Sequence, residues 1–85
     1  MKKENNKNKL EQEVKKILST VLKIPIAKID STCSTITIDN WDSLKHIQVV
    51  LNLEKFFKIK FDVNEYNELT SFNNIINLLR KKKNI

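Results

Sequence analysis

Apolar residues recur at helical spacing in the first part of the chain. From Leu10 to Leu22 they fall at positions i, i+4, i+7, i+8, i+11 and i+12, as in a helix with one buried face. Pro25 cannot donate a backbone hydrogen bond, so we expect this helix to end near Leu22 or Lys23. We expect the polar residues 1–9 to be disordered or frayed, adding at most a loose turn. The predicted apolar face consists of Leu10, Val14, Ile17, Leu18, Val21 and Leu22.

The segment 24–41 contains β-branched residues, but no second segment has a pattern with which it could pair as a strand. An isolated strand would leave backbone hydrogen-bonding groups unsatisfied. We therefore predict a long loop with a short turn at 30–31. A loop of this length in a compact domain usually indicates a function or a wrong assignment. The residues expected to anchor it on the helices are Ile26, Ile29, Ile36 and Ile38.

A second helix is predicted from Ser43 to Phe57, and it has more apolar residues than one buried face requires. Val50, Leu53 and Phe57 share one row at i, i+3 and i+7, so we assign them to the core. An adjacent row begins beside Ser43 and is expected to be partly exposed, as a docking surface would be. This second row consists of Leu44, Ile47 and Leu51.

Two further elements complete a predicted all-α fold with three longer helices and a short third one. One short helical turn is expected over 64–69, with Tyr66 and Leu69 facing inward. The polar pair at 70–71 favours the start of a last helix. The basic run at 80–83 favours its end, where positive charge stabilises the helix dipole.

Size and composition restrict the class of protein. The 85 residues suit one domain, which we place at 10–80 with a basic tail at 81–85, and its core is too small for a deep active site. One cysteine excludes an intramolecular disulfide. With no signal-peptide pattern and no apolar run long enough to span a bilayer, we expect a cytoplasmic monomer. The net charge of +6 would suit nucleic acid, but many Lys and Asn residues without any Gly also fit an AT-rich genome.

The candidate chemistry lies at the junction between the long loop and the second helix. Asp42 and Ser43 are both favoured at helix starts, where their oxygens accept hydrogen bonds from first-turn N–H groups. Capping alone would explain them. A phosphate esterified to the Ser43 hydroxyl would also meet free N–H donors and the positive end of the helix dipole. The junction is therefore a candidate attachment point for a phosphorylated cofactor.

The same junction combines an Asp-Ser-Leu sequence with apolar positions that continue along the helix. The residues concerned are Trp41-Asp42-Ser43-Leu44, Ile47, Val50, Leu53-Glu54 and Phe57. They resemble the attachment segment of acyl carrier proteins, whose serine bears a covalent 4′-phosphopantetheine arm. The likeness in helix order and spacing runs from about Leu10 to Leu79, and it implies an acyl-carrier-like four-helix bundle with a long loop between the first two helices.

The resemblance implies a role for several residues. Ser43 would carry the 4′-phosphopantetheine, and Asp42 would be recognised by the phosphopantetheinyl transferase that attaches it. Asn40 stands where the family often has Gly, and Asn is the next most tolerant residue of a positive φ. The residues implied in docking partner enzymes are Leu44, Ile47, Leu51 and Glu54.

The resemblance also implies a non-catalytic function. The chain would hold acyl intermediates as thioesters, receive them from a loading ligase and present them to acyl-processing enzymes. The pathway would be fatty acid synthesis or a specialised lipid, polysaccharide or secondary-metabolite route, and an aminoacyl or peptidyl carrier is the alternative. Family members are commonly acidic along the second helix, whereas Lys45, Gln48 and Lys55 interrupt that pattern here. A dedicated pathway with its own ligase therefore competes with fatty acid synthesis.

An enzyme is a competing interpretation. Ser43 and His46 lie one turn apart and could act as nucleophile and base, with Asp42 or Asp39 orienting the base. No Gly-rich elbow or oxyanion hole is visible in the sequence, and a lone histidine on a helix surface is usually solvated. Cys33 has no basic or His neighbour in sequence that would mark it as a nucleophile.

A basic nucleic-acid-binding domain, or a helical interaction domain without a cofactor, is the third class. It would use the lysines and exposed aromatic rings. Phe57, Phe61 and Phe72 instead fall at core positions, and the lysines do not gather on one helix face. We expect Trp41 to cover the loop, because a large residue before a helix often staples the entering chain.

Overall fold

Four α-helices form the fold in the computed structural model, which describes the backbone of residues 4–83 and the side chains of 9–83. The helices are α1 (Glu4–Leu22), α2 (Ser43–Phe57), α3 (Val63–Glu68) and α4 (Phe72–Lys83), with a 3₁₀ helix at Ile26–Lys28. No strand is formed within 4–83, apart from one isolated β-bridge between Ser34 and Ser71. The prediction of an all-α fold is confirmed, and α2 has the predicted bounds.

The first helix begins earlier than predicted. The backbone of α1 is helical from Glu4, which differs from the disordered or frayed segment predicted for 1–9; residues 1–3 lie outside the described part of the chain. Residues 4–9 contain no Pro or Gly, and extending an existing helix requires no new nucleus. At the other end α4 finishes at Lys83, where the basic run predicted to close it also ends, so residues 81–83 of the predicted tail belong to the helix; residues 84–85 lie outside the described part of the chain.

The core lies where α1 meets α2 and α4, and α3 packs against α4. The apolar face predicted for α1 is confirmed, with Ile17 half-buried at its edge. Val50 and Leu53 of α2 are buried as predicted, whereas Phe57 is half-buried. Each buried Leu or Ile stabilises the fold by roughly 1.5–3 kcal/mol through leaving water. The largest fully buried side chains are Val14, Leu18, Leu22, Ile29, Val49, Leu53, Leu69, Ile75 and Leu79.

The long connection between α1 and α2 has fewer apolar anchors than predicted. Ile29 is buried and Ile38 packs against the core at its edge. Ile26 and Ile36 are exposed, so the prediction that they anchor the loop is wrong. Ile26 belongs to the 3₁₀ helix, which buries none of its residues, and Ile36 lies in a turn whose side chains face solvent.

Backbone hydrogen bonds supply the remaining attachment of this loop. The Thr35 N–H donates to the Thr70 carbonyl at 2.9 Å, and the Phe72 N–H donates to the Cys33 carbonyl at 3.0 Å. The first bond joins the loop to the connection between α3 and α4, and the second joins it to the first residue of α4. The loop thus pairs some of its backbone N–H and C=O groups with a segment distant in sequence. The sequence showed no matching strand pattern, so it did not predict this pairing.

A turn forms at 30–33, close to the predicted 30–31. The Asp30 carboxylate accepts hydrogen bonds from the Thr32 hydroxyl at 2.6 Å and the Thr32 N–H at 2.9 Å. The hydrogen bond from the Thr32 hydroxyl is the main cause that holds the pKa of the Asp30 carboxylate below its usual value. The bond from the Thr32 N–H and the positive charge of Lys15 lower this pKa further. The Cys33 N–H closes the turn on the Asp30 carbonyl at 3.1 Å. Its thiol is buried and contacts the Lys28 carbonyl at 3.4 Å.

The short helix α3 has its own capping network. The Glu65 N–H donates to Asp62 at 2.8 Å, and the Asp62 N–H donates back to Glu65 at 3.0 Å, forming a capping box. Lys82 of α4 also pairs with Glu65 at 3.0 Å. Leu69 is buried and Tyr66 is half-buried against the core, in agreement with the prediction that both face inward.

The last helix begins at the predicted polar pair. The Asn74 N–H donates to the Ser71 hydroxyl at 3.1 Å, which satisfies one of the first-turn donors of α4. The positive charge predicted to close α4 is present in its last turn. The predicted start of α4 is therefore confirmed.

Lysines occupy the left-handed positions that end two helices. Lys23 has φ 59° and Lys58 has φ 57°, and these are the positive-φ residues of the described chain. Glycine usually takes such positions, but the chain has none. Asn40, noted above as a residue that would tolerate a positive φ, does not have one. Its side-chain N–H group instead donates to the Leu22 carbonyl at 3.1 Å and satisfies the end of α1.

Replacing Lys58 with Gly should raise the free energy of unfolding by about 1 kcal/mol, because a β-carbon disfavours the left-handed conformation by roughly 1–2 kcal/mol. Urea denaturation followed by circular dichroism measures the change. Lys55→Gly, inside the same helix, is the matched control and should lower the free energy of unfolding by about 1 kcal/mol. A loss of stability in both variants would contradict the left-handed end of α2.

Candidate functional site

An aspartate cap begins α2. Asp42 has an extended backbone, and its side chain accepts a hydrogen bond from the Lys45 N–H at 2.9 Å. Its carbonyl accepts the first helical bond, from the His46 N–H at 2.8 Å. A carboxylate is favoured here because it satisfies a first-turn donor and faces the positive end of the helix dipole. Of the two candidate capping residues, Asp42 is the cap, and the Ser43 hydroxyl takes no part in capping.

Ser43 is the first helical residue of α2, and its side chain is exposed. Among the hydrogen bonds of the described residues, none involves its hydroxyl or the backbone N–H groups of Ser43 and Leu44. These N–H groups lie in the first helical turn, where no intrahelical acceptor exists. A phosphate ester on Ser43 would therefore have two free donors and the helix dipole beside it. These residues fit a phosphate-linked group.

Behind Ser43, the imidazole of His46 joins three segments of the chain. The indole N–H of Trp41 donates to Nδ1 of His46 at 3.1 Å, and Nε2 lies 3.0 Å from the Tyr66 carbonyl oxygen. Because Nδ1 accepts, the proton of the ring is on Nε2 and points at that carbonyl. The Tyr66 ring also packs edge-on against His46, with 4.8 Å between ring centroids. The loop, α2 and α3 are thus connected through one side chain.

Trp41 covers the junction, as predicted. Its side chain is buried, and it stands immediately before the cap while His46 is the fourth residue of the helix. These two positions are those of a hydrophobic staple, which here includes a hydrogen bond. The entry of the loop into α2 is therefore held by the staple as well as by the cap.

His46 is not the solvated residue that was expected. It is buried, and both ring nitrogens have partners. Neither nitrogen is available to take a proton from Ser43, and no hydrogen bond joins these two side chains among the described residues. The staple spacing from Trp41 was a signal that could have identified one partner. Tyr66 lies 20 residues further along the chain, and no sequence pattern marked its carbonyl as the other.

The second apolar row of α2 is exposed, as predicted. Leu44, Ile47 and Leu51 expose 62%, 43% and 57% of their surface, and the row starts one residue after the candidate serine. Glu54 was grouped with them, but it is half-buried, and its carboxylate accepts a hydrogen bond from the Phe61 N–H at 2.9 Å. Glu54 therefore has a structural role in holding the connection after α2.

A shallow depression of about 400 Å³ lies beside Ser43. The long loop, the start of α2, α3 and the turn before α4 all contribute to it, so its shape depends on the tertiary contacts described above. Hydroxyl groups and aromatic rings together form its surface. The lining residues are Thr35, Trp41, Asp42, Ser43, His46, Tyr66 and Thr70.

No family model and no curated protein sequence matches this chain. The resemblance to acyl carrier proteins therefore depends on the residues of the junction and on the order of the helices. No group of three or more His, Cys, Asp or Glu side chains that could hold a metal ion occurs among the described residues. Within 4–83, none of the helices has the length and apolarity required to cross a membrane.

Removing the cap should weaken the start of α2. Asp42→Ala is expected to lower the free energy of unfolding by about 1 kcal/mol, since a first-turn N–H loses its acceptor. Asp39→Ala is the matched control, because Asp39 is an exposed loop carboxylate that makes no hydrogen bond among the described residues. Thermal or urea denaturation of both variants measures the difference, and equal losses would contradict the assignment of the cap.

The His46 connection can be tested in the same way. Trp41→Phe should lower the free energy of unfolding by about 1–3 kcal/mol, because Nδ1 of His46 then stays buried without a hydrogen-bond donor. Tyr66→Phe is the control and should have little effect, since His46 contacts the backbone carbonyl of Tyr66. Nitrogen-15 chemical shifts of the wild-type imidazole should show the proton on Nε2. A proton on Nδ1 would contradict this network.

Proposed function

We propose that this chain is a carrier protein whose Ser43 bears a covalent 4′-phosphopantetheine arm. The observation that carries the proposal is the exposed hydroxyl of Ser43 in the first turn of the 15-residue helix α2, free of hydrogen bonds among the described residues. A hydroxyl buried in the core could not reach a modifying enzyme. The order of three longer helices and a short third one supports an acyl-carrier-like bundle.

The attachment chemistry suits the residues around Ser43. Its Oγ would form a bond to the pantetheine phosphorus of coenzyme A, with adenosine 3′,5′-bisphosphate leaving and the hydroxyl proton passing to the phosphopantetheinyl transferase. This chain needs no base of its own, in agreement with the occupied nitrogens of His46. Asp42 supplies an exposed carboxylate next to the reacting oxygen for recognition by the transferase.

The arm supplies a thiol that holds the carried group as a thioester, and the domain supplies position. Tethering makes each transfer effectively intramolecular, so that no deep binding pocket is required. The exposed row formed by Leu44, Ile47 and Leu51 supports the docking of a loading ligase and of downstream enzymes on the same side as Ser43. The carried group is an acyl group of a fatty acid, specialised lipid, polysaccharide or secondary-metabolite pathway, and an aminoacyl or peptidyl group is the alternative.

The competing nucleic-acid-binding function has less support. Base stacking requires exposed aromatic faces. Trp41 and Phe72 are buried, and Phe57, Phe61 and Tyr66 are half-buried, so Phe56 is the one exposed ring among the described residues. One exposed ring, the exposed lysines and the net charge of +6 are the support for that function, and a single ring offers no platform for successive bases.

Incubation with coenzyme A and a broad-specificity phosphopantetheinyl transferase should add one phosphopantetheine to the protein, measured by intact-protein mass spectrometry. Ser43→Ala should abolish the addition. Ser31→Ala, which removes another exposed serine hydroxyl, in the loop before α2, should leave it unchanged. A folded wild-type protein that gains no mass would show that the chain is not such a carrier.

A further inference from the structure

The exposed row of α2 has opposite charges at its two ends. Asp42 is exposed at the end next to Ser43, and Asp39 is exposed shortly before it in the loop. Lys55 follows Leu51 by one helical turn, at the other end of the row. Lys45 is half-buried and lies about 100° or more around the helix from the residues of the row. The row therefore runs from carboxylates to a lysine along one face of the helix.

More lysines surround the far end of the row. A depression of about 670 Å³ lies there, where α2 passes into the following connection. Glu54 is the acidic group of its lining, and its carboxylate is already hydrogen-bonded to the Phe61 N–H. The far end is consequently an apolar surface with a basic rim. The lining residues are Leu51, Glu54, Lys55, Lys58, Ile59 and Lys60.

We propose that this face of α2 binds a protein partner that presents an apolar strip ending in an acidic patch. Twelve residues at a rise of about 1.5 Å place Lys55 about 18 Å along the helix from Ser43. The acidic patch of the partner would therefore lie about 18 Å from the group of the partner that acts at Ser43. That the partner acts at Ser43 rests on the proposed carrier function, whereas the preference for an acidic partner rests on the lysines alone.

Two other occupants fit the face less well. An anionic membrane presents negative charge along the whole row, which would attract the lysines but repel Asp39 and Asp42. A second copy of the chain, paired antiparallel, would match the charges, but a row of three apolar residues is far smaller than the 20–30 residues a side of a standard stable interface. A transient partner requires less buried area.

Two synthetic helical peptides with the same leucine face test the proposal, one flanked by glutamates and one by lysines. Fluorescence anisotropy should show that the wild-type protein binds the glutamate peptide at least about tenfold more tightly than the lysine peptide, and that the preference weakens as salt is added. Ile47→Ser should weaken binding of the glutamate peptide without unfolding the protein, because this side chain lies on the exposed row.

Matched charge reversals separate the lysine end from net charge. Lys55→Glu/Lys60→Glu should remove the preference for the glutamate peptide. Lys16→Glu/Lys81→Glu changes the net charge by the same amount at exposed positions on α1 and α4, and should retain the preference. Equal effects of the two pairs, or equal binding of the two peptides, would overturn the proposal.

Two further measurements test the other occupants. Binding to phosphatidylglycerol vesicles that depends on Lys55 and Lys60, in the absence of peptide binding, would overturn the proposal in favour of a membrane. A stable dimer in light scattering that Ile47→Ser dissociates would overturn it in favour of a second copy. The peptides need no arm, so the unmodified wild-type protein should bind them. Peptide discrimination without modification of Ser43 would reject the carrier function alone, and modification without discrimination would reject the acidic partner alone.

Discussion

The site depends on the placement of one buried imidazole. His46 accepts a hydrogen bond from the Trp41 indole and faces the Tyr66 carbonyl, so it joins the long loop, α2 and α3. Inside a protein an unpaired polar group costs roughly 1–3 kcal/mol, and His46 requires both partners in place. The position from which Ser43 projects is thereby determined by three segments, although Ser43 itself makes no hydrogen bond among the described residues.

A second constraint is that the chain must turn without glycine. α1 and α2 end on left-handed lysines, each of which accepts a conformational cost of about 1–2 kcal/mol. Polar contacts offset this cost at the end of α1, where Asn40 donates to the Leu22 carbonyl. Because Asn40 lies directly before Trp41, this bond also fixes the final part of the loop. The bond therefore fixes the end of α1 relative to the start of α2.

The two sides of α2 have different surroundings. One side buries Val49, Val50 and Leu53 in the core, and His46 continues that side toward α3. The opposite side exposes an apolar row between carboxylates and lysines. Because a helix is rigid over 15 residues, burial of the first side sets the orientation of the other. The apolar row and the start of the helix at Ser43 are therefore held in one orientation by a core of modest size.

The sequence by itself determined the helices and the exposure of Ser43 and the apolar row of α2. Helical spacing, the cap at Asp42 and the breaker at Pro25 act between neighbours in the chain, so they can be read locally. The tertiary structure decided which isoleucines of the loop are buried. It also decided that the Glu54 carboxylate accepts a hydrogen bond and that the His46 side chain is buried. Each of these depends on a segment distant in sequence, as with His46 and the Tyr66 carbonyl, and burial is favourable only when such a partner is present.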